Sequence, residues 1–552
     1  MASDYTVADL VAEFIAACGV RTAFGVASVH NLAILDAIGR RNAVRFVAAR
    51  GEMGAAHMAD GYARVTGGLG VFVSSTGPGA ANAVGGLVEA RIAGTPVLHI
   101  TSQTSSRYLD RKAGTVHDAF DQLGMLHSVS KAAYRVRSPD QAIGILMRAA
   151  TDALTVPTGP VSVEIPNDVE RAAIRRPAML DHLAIRPAVP QGPTAADLDE
   201  LAARVAAAKR PVSYLGSGGH GAGAEIRALL DMGFGMVSSW KGRGVVPDDH
   251  PMNLSGLQGN GIKAIQDFYG SVDLMLVVGA RMRGHELGEF AVKLPPNLVQ
   301  IDADPLANGR TQVAAYFVCA DAKATLAALL PRLAGTMAVE PGFPGEFRAL
   351  KRAAWAEFLG SLGIYGTFME QLRAAMPKDA VFARDITQST STWANRIFTL
   401  HSPHDGVYPV SAGIGQGLPL AIGAAVAAPG RRTLLLTGDG GFMLNFGELW
   451  TALQERLDLT VVVMNDGGYG VIKKLQSTHH GGRRYFADLA MPDFAQIAAM
   501  SNMGYWRCAQ ADAFGATVAE ALKRSGPNLV EVDMAAIGEF EDYFPFKRAP
   551  AG

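Results

Sequence analysis

One short pattern occurs twice in this chain, and it limits the fold more than any other feature. Thr76-Gly77-Pro78-Gly79 and Thr437-Gly438-Asp439-Gly440 lie 361 positions apart. Held at that offset without a gap, the flanking segments overlap to within two or three residues. The helix-like GAAHMADGYARVTG overlays GLPLAIGAAVAAPG closely, the strand LGVFVSS meets RTLLLTG, and TPVLHITSQ meets LTVVVMND. Glu52 falls on Gly413, beside Ile414. The chain therefore carries one helix–strand–glycine loop–helix–strand unit twice, with different side chains on it. A plain duplication of a nucleotide-binding fold accounts for such a repeat by itself. The side chains must decide the chemistry.

Short apolar runs such as GVFVSS, PVSVEI, LMLVVG, RTLLLTG and LTVVVMND alternate with helical patterns along the chain. Strands this continuously apolar are covered on both faces, which predicts parallel α/β sheets. A length of 552 residues exceeds one core. Two segments read as linkers, the proline-rich 175–198 and a stretch near 335–347. They predict three doubly wound domains over 1–175, 190–335 and 360–552. A net charge of −1 gives no reason to expect nucleic acid or an anionic membrane as partner. Cys18, Cys319 and Cys508 are far apart and read as reduced thiols of a cytosolic protein. The N-terminal stretch, acidic at Asp4, Asp9 and Glu13, reads as a first helix rather than a signal peptide, and no apolar run is long enough to span a bilayer.

Asp439 follows one predicted strand and Asp466 the next, 27 residues later. Right-handed crossovers bring the ends of successive parallel strands to one sheet edge, so the two carboxylates can meet there. A helix beginning near Gly441 would add free N–H groups for an anion. Read singly, Asp439 is a helix N-cap and Asp466 a turn residue. Read together with the Gly468 carbonyl, they form part of an oxygen shell for a divalent metal that ties down a diphosphate. Oxygen ligands beside diphosphate favour Mg²⁺ over Zn²⁺.

Gly438-Asp439-Gly440 followed by Asn465-Asp466 resembles the signature of thiamine-diphosphate enzymes, and the whole chain resembles their acetolactate-synthase-like group. That group includes benzoylformate decarboxylase, benzaldehyde lyase and oxalyl-CoA decarboxylase. The resemblance implies pyrimidine-binding, central and diphosphate-binding domains in that order. It implies thiamine diphosphate and Mg²⁺ as cofactors, with Asp439, Asp466 and the Gly468 carbonyl on the metal. Gly438, Gly440, Gly441, Tyr469 and Gly470 would line the cofactor. AARGEMGAAHMADGYAR resembles the glutamate motif, so Glu52 would bond the aminopyrimidine and drive its proton switch. By itself Glu52 reads as an acid favoured at a helix start. VSAGIGQGLPL places Ile414 under the bent cofactor, with the Ala412 carbonyl and the Ile414 N–H on the pyrimidine. In the family these two halves come from different subunits, which implies a homodimer or homotetramer with shared sites.

At the substrate end, FGVASVHNLAIL resembles the loop facing the reactive carbon and offers His30 as a proton donor or acceptor; a surface turn histidine is the alternative. Ser75 stands where benzoylformate decarboxylase has a histidine. HDAFDQLGML resembles the substrate segment and offers Phe120, Asp121 and Gln122. Ser389, Thr390 and Ser391 are either phosphate donors or a plain polar turn. Residues 470–486 resemble the mobile substrate loop and carry Lys473, Lys474, Arg483 and Arg484, a charge set that attracts a carboxylate or is simply solvated. Leu475 stands where acetolactate synthases carry a tryptophan that selects the second oxo acid. The central domain resembles one that in some members binds FAD or ADP. The implied activity is a carboligase that decarboxylates a 2-oxo acid and adds the resulting enamine to a carbonyl acceptor. Alternatives are a 2-oxo-acid decarboxylase, a hydroxyketone or 2-hydroxyacyl lyase, and a noncatalytic cofactor-binding homologue.

Overall fold

A computed structural model describes residues 5–188 and 190–540. Three sheets are present, and every strand pairing in them is parallel. The first sheet comprises β1 (Thr22–Gly25), β2 (Arg45–Ala48), β3 (Gly70–Ser74), β4 (Val97–Gln103), β5 (Ala132–Arg135) and β6 (Val161–Pro166) in the order 2-1-3-4-6-5. The second has β7 (Pro211–Leu215), β8 (Gly235–Ser238), β9 (Leu274–Val278), β10 (Leu298–Asp302) and β11 (Tyr316–Cys319) in the order 11-10-9-7-8. The third has β12 (Val381–Arg384), β13 (Gly406–Val407), β14 (Thr433–Gly438), β15 (Leu459–Asn465), β16 (Gly504–Cys508) and β17 (Asn528–Asp533) in the order 13-12-14-15-17-16. Renumbered from its own start, the third sheet has the order of the first. The repeat read at 361 positions is thus a repeat of topology, and the helices after the two glycine loops begin on the paired residues Pro78 and Asp439.

The central strands are apolar because both faces are covered: every residue of β3, β4 and β6 is buried. The Val7–Ala17 helix opens with a capping box between Thr6 and Asp9, as expected of a first helix. The stretch expected as a second linker is shorter than read. A helix runs from Phe343 to Gly360, with Pro344 in its first turn, where a missing N–H costs nothing. Among the described residues, no helix is long and apolar enough to cross a membrane.

The first and third sheets are joined through two helices related by the repeat, Glu52–Thr66 and Gly417–Ala427. They cross with almost no side chain between them. A Cβ on Gly61 would stand well inside 3.0 Å of the Leu420 carbonyl oxygen, and one on Gly423 equally close to that of Met58. Glycine is required here by close approach of backbone to backbone. This crossing fixes the two segments expected to face the cofactor, because Glu52 opens one helix and Ile414 precedes the other.

Candidate active site

The acidic corner is built as two strand ends side by side. β14 and β15 are paired through Gly438 and Met464, so Asp439 and Asp466 emerge next to each other. Asp439 is not an N-cap; it is the first residue of the Asp439–Leu444 helix, two residues earlier than expected, and its Oδ2 accepts the Gly468 N–H at 2.7 Å. The turn needs its glycines: Gly467 has φ +73° and Gly468 φ +148°, and a Cβ on Gly468 would collide with the Ala487 carbonyl. Gly470 likewise has no room for a side chain, because Asp466 Oδ2 occupies the place. Lys473 secures the turn from behind, donating to the carbonyls of Asp466 (2.8 Å) and Gly467 (3.0 Å) and pairing with Asp488 (2.9 Å).

A cavity of about 210 Å³ opens above this corner, lined by Asp439, Asp466, Gly468, Ser389, Ala412 and Ile414. Gly438, Gly441, Tyr469 and Gly470 also face it, whereas Gly440, Thr390 and Ser391 do not. The Thr390 hydroxyl is used inside its own turn, where it accepts the Thr387 N–H at 2.6 Å. Ser389 is different: its Oγ is buried without a partner, free to donate to an anion. Ala412 holds φ +64°, costly for a residue with a side chain, in a loop of which Ala412 and Ile414 line the cavity.

The chemistry of the two acids fits a metal. Asp466 Oδ1 is buried with no hydrogen-bond partner. Burial, and then the charge of Asp439, push the Asp466 carboxyl up to about 7. Two facing carboxylates that do not both ionise comfortably form a site that a divalent cation would stabilise. Among the described residues no group of three or more His, Cys, Asp or Glu side chains could hold a metal, so a metal at this corner would need backbone carbonyl, phosphate oxygen or water as further ligands.

Sequence reading missed Asp385. It follows β12 with its carboxyl buried and pushed up to about 6, accepting the N–H groups of Ile386 (2.7 Å) and Gly415 (3.0 Å). It therefore pins the Ala412–Gly415 loop to the sheet.

The other half of the expected site lies in the first domain. Glu52 is buried at the start of its helix and accepts a 3.2 Å hydrogen bond from Asn82 Nδ2. Gly79 is the spacer beside it, since a Cβ there would touch both Glu52 Oε1 and Ser75 Cβ. From Ser75 a polar chain continues to Ser28 (2.6 Å) and to His117 Nδ1 (3.3 Å). The His117 ring lies 4.9 Å from that of His30. His30 is only 8% exposed, with Nδ1 unpartnered. Burial, then His117, lower its pKa, so the ring stays neutral more readily. Gln122 is placed otherwise than expected. It is buried, accepts from Thr76 Oγ1 (3.0 Å) and Gly77 N (2.7 Å), and donates to the Ser102 carbonyl and Glu164. Its amide is spent holding the glycine loop, which makes it a positioning residue. Asp121 caps the Gln122–Val129 helix, and Phe120 is 73% exposed. The basic segment expected as a loop is a helix over Gly470–His479, with Lys473 engaged at the turn.

No first-sheet residue, Glu52 included, lines the Asp439–Asp466 cavity. Ile414 is 39% exposed at its rim, and Val29, Leu32, Val116 and Phe120 are exposed near the histidines. Each half-site thus presents apolar surface outward.

A second cavity, of about 360 Å³, lies where the three domains meet. Gly218, Lys241, Arg281, Asp302 and Arg310 line it. Burial and nearby arginines push the Lys241 amine down to about 7, an excess of positive charge that an anionic ligand would relieve. The glycines of the 216–219 turn serve packing, since Gly216 and Gly218 lie against the backbone of Gly279.

Parallel three-domain architecture and the divided acidic site together define a class. Residues 5–125 match the thiamine pyrophosphate enzyme N-terminal TPP binding domain, 198–329 the central domain and 385–532 the C-terminal TPP binding domain. Over 476 residues the chain is 32% identical to a probable 2-ketoarginine decarboxylase of Pseudomonas aeruginosa, covering 85% of this chain and 83% of that one. It is 29% identical to acetolactate synthase isozyme 1 large subunit of Escherichia coli, covering 96% and 94%. A probable chloroplastic acetolactate synthase 2 of Oryza sativa subsp. japonica is also 29% identical, covering 95% and 82%. The chain belongs to the thiamine pyrophosphate enzyme family. Within it, this is an acetolactate-synthase-like enzyme that forms or cleaves carbon–carbon bonds with thiamine diphosphate.

Proposed function

We propose that this enzyme decarboxylates a 2-oxo acid and joins the remaining fragment to a second carbonyl compound, with Mg²⁺ and thiamine diphosphate bound at the Asp439–Asp466 corner. The observation that carries this reading is the buried Asp466 Oδ1, without a hydrogen-bond partner beside the buried Asp439 carboxylate, in a cavity that Ala412 and Ile414 also line. Bound there, the cofactor supplies a nucleophilic carbon and an electron sink for the leaving carboxyl group. The chain's own residues do the rest. Asp439, Asp466 and the Gly468 carbonyl would hold the metal, and Ser389 Oγ would donate to a phosphate oxygen. Ile414 would pack against the cofactor at the cavity rim. Glu52, on a second copy of the chain, holds and passes a proton at the pyrimidine ring. The exposed apolar rims of both half-sites support closure by a partner subunit. His30 and His117 provide proton donors at the substrate end.

That histidine pair also favours a second reading, in which the fragment is protonated and released as an aldehyde. An adenine-bearing ligand such as FAD or ADP suits the cationic central cavity as a structural element. The test is to supply Mg²⁺, thiamine diphosphate and a panel of 2-oxo acids, with and without aldehydes, and to identify products by mass spectrometry. Hydroxyketones support the carboligase, aldehydes alone the decarboxylase, and no product with any acid refutes both. His30→Phe is expected to shift the product ratio; an unchanged rate and ratio would remove His30 from the site.

A further inference from the structure

Two buried glutamates outside both half-sites occupy matching places in the repeat. Glu448 sits just before the Leu449–Gln454 helix of the third domain, and Glu89 lies within the Val84–Ala93 helix of the first. Each reaches into the other domain. Glu448 accepts the backbone N–H groups of Arg50 (3.1 Å) and Gly51 (3.0 Å), the two residues before Glu52. Glu89 accepts those of Val410 (2.8 Å) and Ser411 (2.8 Å), the two residues before Ala412. The glutamates are 359 positions apart and their targets 360, close to the repeat offset of 361. A crossing of helices explains why two domains touch. It does not explain two carboxylates taken out of water to grip the same pair of backbone groups in each repeat, since burying a carboxylate costs free energy unless its bonds are made.

The surroundings differ in one respect. Glu89 is also paired with Arg64 at 2.7 Å. Glu448 has instead the Thr451 hydroxyl at 2.7 Å. Gly54 leaves the space in which the Glu448 carboxylate lies, for a Cβ there would stand well inside 3.0 Å of its Oε1.

We propose that Glu448 and Glu89 are reciprocal positioning residues: Glu448 sets the place of Glu52, and Glu89 sets the place of the Ala412–Ile414 loop. This rests on the proposed function in taking those two segments as the cofactor's contacts. The two clamps then have separable consequences. Loosening Glu448 displaces the proton-handling carboxylate and lowers kcat. Loosening Glu89 displaces the loop that grips the pyrimidine and weakens cofactor binding.

The test uses the full chain. Amide hydrogen–deuterium exchange of the cofactor-free protein is followed by mass spectrometry in Glu448→Gln, Glu89→Gln and Gly54→Ala. Glu448→Gln is expected to speed exchange at 50–51 at least about tenfold while leaving 410–411 protected, and Glu89→Gln to do the reverse. Gly54→Ala keeps the carboxylate but pushes it aside, so it should reproduce the Glu448→Gln pattern while adding a better helix former. With substrate, Glu448→Gln should lower kcat about 10- to 100-fold with KM unchanged, the scale of a displacement near 1 Å at a reacting group. Unchanged exchange at 50–51, or the same rise at both segments in every variant, overturns the proposal. A wild-type protein that turns over no 2-oxo acid refutes the proposed function instead, and the exchange pattern still decides the clamps.

Discussion

The helix crossing that joins the two halves of the repeat makes a quantitative prediction. Gly61→Ala places a methyl group well inside 3.0 Å of the Leu420 carbonyl oxygen, where ordinary contact begins at 3.4 Å. The obstacle is backbone, so it cannot swing away as a side-chain tip would. Overpacking of this kind costs about 1–3 kcal/mol. Against it stands the gain of replacing glycine inside a helix, about 1 kcal/mol. The net expectation is a loss of about 0–2 kcal/mol, centred near 1. Gly39→Ala is the control: Gly39 lies in the Leu32–Arg41 helix with nothing within 4 Å of the added methyl, so only the gain applies. The two variants should differ by about 2 kcal/mol, or roughly 4–8 °C in unfolding midpoint for a cooperative unit of 150–250 residues. Gly423→Ala should resemble Gly61→Ala, because it meets the Met58 carbonyl in the same way. The double variant should cost less than the sum, since the first methyl already opens the gap that the second needs. Thermal unfolding of the cofactor-free protein measures all four. A Gly61→Ala protein as stable as Gly39→Ala would show that the crossing has slack and that the glycines are not there for close approach.

Three further outcomes follow from individual side chains. Glu52→Gln should lower turnover by about 10²–10⁴-fold while cofactor affinity stays near wild type, and full activity would rule out proton handling by this residue. Asp439→Ala should weaken thiamine-diphosphate binding in the presence of Mg²⁺ by at least about tenfold by calorimetry, and an unaltered affinity would refute the metal corner. Glu170 is fully buried, accepts the Ser102 hydroxyl at 2.7 Å, and is pushed up to about 8 by burial. Its folded pKa lies above its unfolded one, so its contribution to stability is complete below about 4.5 and is lost as pH rises through about 8. Glu170→Gln removes that loss, and its unfolding midpoint relative to wild type should climb between pH 5 and pH 9; parallel curves would refute the shift.

What could be read in the sequence depended on how local each signal was. The acidic pair was legible because each acid directly follows an apolar strand, and adjacent parallel strands must deliver them to one edge. The common topology of the first and third sheets followed from one ungapped offset. Asp385 carried no such signal, since its role exists only where its carboxylate meets the N–H of Gly415, thirty residues away. His117 is in the same position: it lies in an irregular segment with φ +62°, folded back so that its carbonyl crowds Gly77. The hydroxyl cluster at 389–391 showed donors but not their use, because whether Thr390 faces a ligand or its own turn depends on one side-chain rotation. Pro344 suggested a linker, yet proline is as much at home in a first helical turn.

The two repeats have diverged unevenly, and the pattern separates support from chemistry. Pro78 stands where Asp439 stands; both open a helix after a glycine loop, but only one keeps a carboxylate. Glu52 likewise has Gly413 as its counterpart. In contrast, the glycine crossing and the glutamate clamps are present in both halves. The shared features are those that hold backbone segments in place, and the unshared ones are those that touch the proposed cofactor. A perturbation of a shared feature should therefore move a backbone segment without removing a reacting group, as at Gly61 or Glu448. A perturbation of an unshared one, as at Glu52 or Asp439, should abolish one contribution and leave the opposite half-site intact.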